Sequence, residues 1–233
     1  MHRRNVLHIL DELIHTRSIL QHPFYVAWER GELTRGQLAT YARAYYPHVQ
    51  AFPRYLEAAI VRADDPVSRA ELKLNLTDEL SNPKPHHELW LDFADALGQD
   101  RHEIATAAPK PFAKATVDTF ERLTRRDSAS GLAALYAYES QQPEVSCRKM
   151  TGLRESYGFR GAEGLGYFEV HATVDIDHRA GERNALARCL DDGASPEMVL
   201  GGATDALDAY WGMLDGICTE SGVSTSSCSC LGG

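Results

Sequence analysis

The side chains in this sequence best placed to do chemistry are His171, Asp175 and His178, in the segment Gly166-Tyr-Phe-Glu-Val-His-Ala-Thr-Val-Asp-Ile-Asp-His178. Their spacing is i, i+4, i+7. On one continuous helix all three project from the same stripe. Two imidazoles and a carboxylate on one edge suit a transition metal, and such nitrogen and oxygen donors fit iron, manganese or zinc. A solvated helix face can carry the same residues, so the stripe alone leaves both readings open.

A dinuclear site in a helical bundle takes about six ligands from facing helices. Three more candidates lie elsewhere. Asp78-Glu79 closes one predicted helix, and His86-His87-Glu88 opens the next. Glu139 sits in Ala133-Ala-Leu-Tyr-Ala-Tyr-Glu139, among apolar neighbours that predict burial. A buried carboxylate needs a cation, which could be a metal or an arginine. Lys149 follows ten residues later, nearly three turns on if the helix continues. It reads either as an amine drawn into the bundle or as a surface lysine beside Arg148.

These residues must be positioned by helices, and the sequence predicts little else. No alternating apolar pattern flanked by hairpin turns occurs. The first helix covers Leu7, Leu10, Leu13 and Ile14 and extends to Ile19 and Leu20. A short second one follows from His22 to Trp28, with Pro23 in its first turn. Thr34 caps a third over Arg35–Ala63, which Pro47 and Pro53 should kink. A fourth starts at Asp64 or Asp65 and runs to Leu80. A fifth spans His86–Leu97 and a sixth Phe112–Arg125. A long seventh, capped by Ser128 or Ser130, reaches Tyr157. The eighth spans Leu165–Leu190 and the ninth Pro196–Cys218. Residues 1–220 form one helical domain on this reading, and the Ser, Gly and Cys stretch 221–233 is a disordered tail.

The composition narrows the function. The 233 residues are 43% hydrophobic and 24% charged, with a net charge of −9. That argues against nucleic acid as the main partner and against a basic membrane-surface helix. No apolar run is long enough to cross a bilayer. Asp11 and Glu12 interrupt the N-terminal apolar pattern, so no signal peptide is read and a cytoplasmic location is expected. The five cysteines, Cys147, Cys189, Cys218, Cys228 and Cys230, have no zinc-type spacing and suit free thiols.

Glu79, His86 within His-His-Glu-Leu-Trp90, Tyr138-Glu139 and His171-x₃-Asp175-x₂-His178, in that order, resemble the heme-oxygenase-like dimetal oxidases. The resemblance covers roughly residues 5–218 and implies an all-α bundle of seven to nine helices, of the kind found in thiaminase-type and pyrroloquinoline-quinone-synthesis proteins. It implies Glu79, His86, Glu139, His171, Asp175 and His178 as ligands of two transition metals, Fe/Fe or Mn/Fe, with O₂ and an external reductant as cosubstrates. His22-Pro-Phe-Tyr25, Tyr45-Tyr46, Ala51-Phe-Pro-Arg-Tyr55 and Cys147-Arg-Lys149 resemble the branch understood to make para-aminobenzoate for folate synthesis. That branch is thought to consume one of its own tyrosines and one lysine, which by motif position are Tyr25 and Lys149. Tyr41, Tyr138 and Tyr167 would then relay or position a radical. A homodimer is the expected assembly.

Three other functions share parts of this sequence. A dimetal oxidase acting on an external amino acid or fatty acid would use the same ligands. A thiaminase-like hydrolase would need a reactive cysteine in the bundle, for which Cys147 is the candidate. A pure interaction protein would consume no oxygen. Heme degradation is disfavoured, because no early histidine stands out as a lone axial ligand.

Overall fold

The computed structural model describes residues 3–81 and 83–224. Among these residues it is helical, with no strand. The order is α1 (Arg3–Thr16), a 3-10 turn (Ile19–Gln21), α2 (Pro23–Glu29), α3 (Arg35–Arg62), α4 (Pro66–Ser81), α5 (His86–Ala96) and α6 (Arg101–Thr106). Then come α7 (Pro111–Arg126), α8 (Ser128–Glu139), α9 (Gln142–Ser156), α10 (Ala162–His171), α11 (Val174–Asp191) and α12 (Pro196–Ser221).

Local chemistry sets most of the starts. The Thr34 hydroxyl accepts the Gln37 amide, and the Gln37 side chain returns a bond to the Thr34 amide. Asp65 accepts the amides of Val67 and Ser68 at the head of α4. His22 caps α2 through Nδ1, which accepts the Phe24 amide. Helix α3 runs on through Pro47 and Pro53.

All nine expected segments appear, with differences that matter for the site. Ile19 and Leu20 leave the first helix for the 3-10 turn, where Ser18 accepts the Leu20 amide. The cap before α8 is Asp127, not Ser128 or Ser130, because its carboxylate takes both the amide and the hydroxyl of Ser130. The short α6, capped by Asp100, was not expected. Two long segments break. The first stops at Glu139 and resumes at Gln142, with Pro143, which has no amide to donate, in the first turn of α9. The second breaks at Ala172–Thr173. There the Thr173 hydroxyl bonds back to the Val170 carbonyl and competes with the helix ladder. Asp175 and Asp177 then fall in the first turn of α11, where the helix dipole favours acids.

The core surrounds α8, whose twelve residues are all buried. A helix apolar on every side belongs in the centre of a bundle. It packs against α7, α11 and α12. The α12 crossing is close, since a β-carbon on Gly202 would lie 2.8 Å from the Ser130 carbonyl oxygen. Around the C-terminal end of α8, α11 packs on α4 and α10 packs on α5 and α9. Ser221 ends α12, and Gly222 closes it in the left-handed conformation with φ 71°. Cys228 and Cys230 lie outside the described residues. No helix among the described residues is long and apolar enough to cross a membrane.

Candidate metal centre

The six proposed ligands fall into two buried triads. In the first, Glu79 from α4, His86 at the start of α5 and His171 at the end of α10 bring their donor atoms within 4.8 Å of one another. His86 Nδ1 lies 2.8 Å from Glu79 Oε1, and His171 Nε2 lies 3.7 Å from the same oxygen. His171 Nδ1 donates to the Tyr167 carbonyl at 2.7 Å, which leaves Nε2 to face Glu79. In the second triad Glu139 ends α8, and Asp175 and His178 come from the first turns of α11. His178 Nδ1 lies 3.3 Å from Asp175 and 3.8 Å from Glu139. Its other nitrogen is held by Asp78 at 3.1 Å, the carboxylate–imidazole pairing that orients a metal-binding histidine.

This arrangement corrects the single-stripe picture. The break at Thr173 gives His171 to one triad and Asp175 with His178 to the other. They stay neighbours, since Asp175 still acts on the charge of His171. The same kind of break detaches Lys149, which lies on α9 and not on the helix of Glu139.

Electrostatics in the site are those of groups taken out of water. Burial opposes the charge on His171, but Asp175 and Glu79 outweigh it and hold the imidazole at about 9. His178 likewise loses to burial and regains more from Asp175 and Glu139, reaching about 10. Burial raises Glu79, but His86 and His171 overcome this and pull it to about 2. Burial pushes Glu139 up, opposed by its contact with Glu182 and the charge of His178. Asn75 donates to both Glu139 oxygens, at 3.1 and 2.9 Å. No lysine or arginine among the described residues pairs with Glu79, Glu139 or Asp175.

The residues present fit a pair of metal ions. Buried polar atoms without a hydrogen-bond partner gather around the second triad. They are both oxygens of Glu182, Asn75 Oδ1 and Asp175 Oδ2, while Asp175 Oδ1 has only the 3.3 Å ion-pair contact with His178 Nδ1. Orphaned groups of this kind are costly in a dry interior, and a cation is the partner that would meet acceptors from several directions.

A second cluster lies deeper. Lys149 is 4% exposed. Its Nζ donates to Tyr25 Oη at 2.9 Å and to Tyr41 Oη at 2.7 Å. The ammonium position faces the rings of Tyr25, Trp28, Tyr41, Tyr45 and Phe168. Burial lowers its pKa well below the usual lysine value and favours the neutral amine. Burial also holds the Tyr25 phenol protonated, with its pKa raised well above the ordinary value. Phenols connect this cluster to the metal triads. Tyr25 contacts Tyr210 at 3.4 Å, Tyr210 contacts Tyr45 at 3.0 Å, and Tyr45 contacts Tyr138 at 2.9 Å. Tyr138 reaches Tyr167, whose ring stacks on His171 with centroids 4.0 Å apart.

The sequence reading missed Tyr45 and Tyr210 as members of this chain, and Asn75 and Glu182 beside the second triad. Glu182 had a legible signal: it lies seven residues after Asp175 and four after His178, on their helical stripe. Nothing in the sequence singled out Tyr210 among ten tyrosines. Cys147 is exposed, so the thiol of a thiaminase-like reading lies outside the bundle interior.

Residues 39–211 match the sequence family described as iron-containing redox enzymes. A 4-aminobenzoate synthase of Chlamydia trachomatis serovar D is 41% identical over 91% of this chain and 91% of its own. Another 4-aminobenzoate synthase, from Nitrosomonas europaea, is 38% identical over 89% of each chain. Among solved structures, a domain of unknown function with a heme oxygenase-like fold from Shewanella denitrificans superposes with a TM-score of 0.77. It covers 98% of this chain and 97% of its own at 14% identity, a likeness of fold. The chain therefore belongs to the family of iron-containing redox enzymes, in the company of the 4-aminobenzoate synthases.

Proposed function

We propose that this protein is an O₂-dependent dimetal oxygenase that makes 4-aminobenzoate for folate synthesis, with Tyr25 as the source of the ring and Lys149 as the amino donor. The observation that carries this reading is the buried pair itself. A lysine amine whose pKa burial lowers well below the usual value sits 2.9 Å from the hydroxyl of a tyrosine, inside the bundle that also holds the two triads. A neutral amine is a nucleophile, and an ammonium is not.

Glu79, His86 and His171 would hold one ion, and Glu139, Asp175 and His178 the other, as Fe/Fe or Mn/Fe. Bound there, the ions supply the redox chemistry of O₂, with electrons from an external reductant. The protein's own residues do the rest. Glu139, which comes from a different helix than Asp175 and His178, would be the carboxylate shared between the two ions. Tyr167, Tyr138 and Tyr41 position or relay a radical through the hydrogen-bonded phenols. The aromatic walls exclude water from Tyr25. The net charge of −9 supports a protein without a nucleic-acid partner, and we place it in the cytoplasm. Exposed apolar side chains such as Val61 and Leu74 offer surface for the expected homodimer.

A second reading, oxidation of an external small molecule, is favoured by a cavity of about 360 Å³ that borders Asn75, His178 and Glu182. Intact-protein mass spectrometry separates the two, applied before and after exposure to iron, reductant and O₂ with no added substrate. Self-derived 4-aminobenzoate, with a mass loss mapped to Tyr25, is the expected result. Unchanged protein mass and no product would defeat the self-consuming reading.

A further inference from the structure

We infer that Glu182 is a further metal ligand, a fourth protein donor to the cluster of Glu139, Asp175 and His178. The inference rests on the metal-centre reading above and extends it to a residue outside the six-residue set.

Glu182 shares a stripe of α11 with Asp175 and His178, at spacings of i+7 and i+4 from them. It is 3% exposed, and neither of its oxygens has a hydrogen-bond donor. No lysine or arginine among the described residues pairs with it. It comes within hydrogen-bonding reach of Glu139. Two carboxylates side by side in a dry interior repel each other unless something positive stands between them. A proton shared by Glu139 and Glu182 would satisfy those two groups alone. It would leave Asp175 Oδ2 without a partner and Asp175 Oδ1 with only its 3.3 Å contact to His178 Nδ1. A cation held by Glu139, Asp175 and His178, with Glu182 reaching it from beside Glu139, supplies the positive partner these carboxylates lack.

The surroundings suit delivery of a cation. The cavity beside Glu182 is bordered by Asn75 and His178 and also by Glu71, Asp78 and Asp177. A mouth lined by acids concentrates positive ions.

The two sites then differ in kind. The first offers two imidazoles and one carboxylate. The second offers one imidazole and three carboxylates. Carboxylate-rich sites suit harder cations, and more negative donors bind a divalent ion more tightly. The second site therefore fills first with a hard ion such as Mn(II).

Titration of metal-free protein with Mn(II) alone, followed by calorimetry, tests this. The wild type should show two sites of unequal affinity. Glu182→Gln, which keeps the volume and removes the charge, should weaken the tighter site by about ten-fold or more. It should leave the weaker site in place. The metal-free variant should melt at the same temperature as the wild type or higher, because a buried unpaired acid is gone. Two unchanged sites in Glu182→Gln would overturn the inference. A crystal of the wild-type protein soaked in Mn(II) gives an independent answer that does not depend on the variant folding. A Glu182 oxygen within about 2.5 Å of the ion supports direct ligation. An ion held by Glu139, Asp175 and His178 with Glu182 beyond that distance overturns it. If the wild type binds no Mn(II) at all, the metal-centre reading itself fails, a result distinct from the loss of one site.

Discussion

At the scale of single residues, no acid among the described residues pairs with Lys149, and burial lowers its pKa well below the usual lysine value. Lys149 has two phenols and a ring of aromatic faces around it. Lys149→Arg should therefore do two things. The guanidinium cannot shed its proton, so the nucleophile is lost. Its charge must also be buried, which should cost a few kcal/mol of stability. Product from wild-type protein grown on ¹⁵N-lysine should carry the label, and the variant should yield roughly a hundredth or less of it on the arithmetic of a lost reactive group. An undiminished yield would rule out the donor role. Tyr25→Phe keeps the packing and removes the hydroxyl, so product should disappear while the melting temperature changes little. Full product formation by Tyr25→Phe would contradict self-consumption.

At the scale of helices, two breaks build the site. One frees α9 to carry Lys149 toward Tyr25, and the other splits His171 from Asp175 and His178. Each has a local cause, Pro143 in one case and Thr173 in the other. These were readable in principle. The hydrophobic pattern runs through both joints, and it outweighed the two residues that interrupt the backbone ladder. The approach of α12 to α8 is an equally local matter. Gly202 faces the backbone of Ser130, which cannot move aside as a flexible side chain could. Gly202→Ala should cost roughly 1–3 kcal/mol, the usual penalty of overpacking. A thermal melt at matched metal content checks it, and an unchanged midpoint would mean that the two helices can separate at little cost.

For the whole molecule, stability is tied to what fills the centre. The orphaned acceptors around the second triad are a standing cost in metal-free protein. Ions that bind the folded chain alone raise its stability by about 2.7 kcal/mol at a hundred times the dissociation constant. Chelation should lower the melting temperature, and added Fe(II) or Mn(II) should restore it. An identical melting curve with and without chelator would argue against a filled site. Acid acts elsewhere. His48 is fully buried and held neutral, its pKa lowered by burial to about 3. Between that value and its unfolded value of about 6.5, the unfolded chain binds the proton and the folded chain does not. Stability from this residue is therefore present above pH 6.5 and is lost as the pH falls toward 3. The loss between pH 7 and pH 5 is about 2 kcal/mol. His48→Phe should lose less stability than the wild type over that range, as measured by denaturant unfolding at each pH. Parallel losses would show that other groups carry the acid response.

The sequence by itself determined that this is an all-helical chain, because period, caps and breakers act over a few residues and can be read locally. It also supplied the six candidate ligands and the Tyr25–Lys149 pair, since residue types in a fixed order carry a family's chemistry. Only the tertiary structure decided how those ligands divide, because the division depends on where α10 ends and α11 begins and on which helices face them. Folding alone put Asn75 beside Glu139, and it alone joined Tyr210 to the chain of phenols. Those neighbours come from segments far apart in the chain, and no local spacing encodes a distance across a packed core.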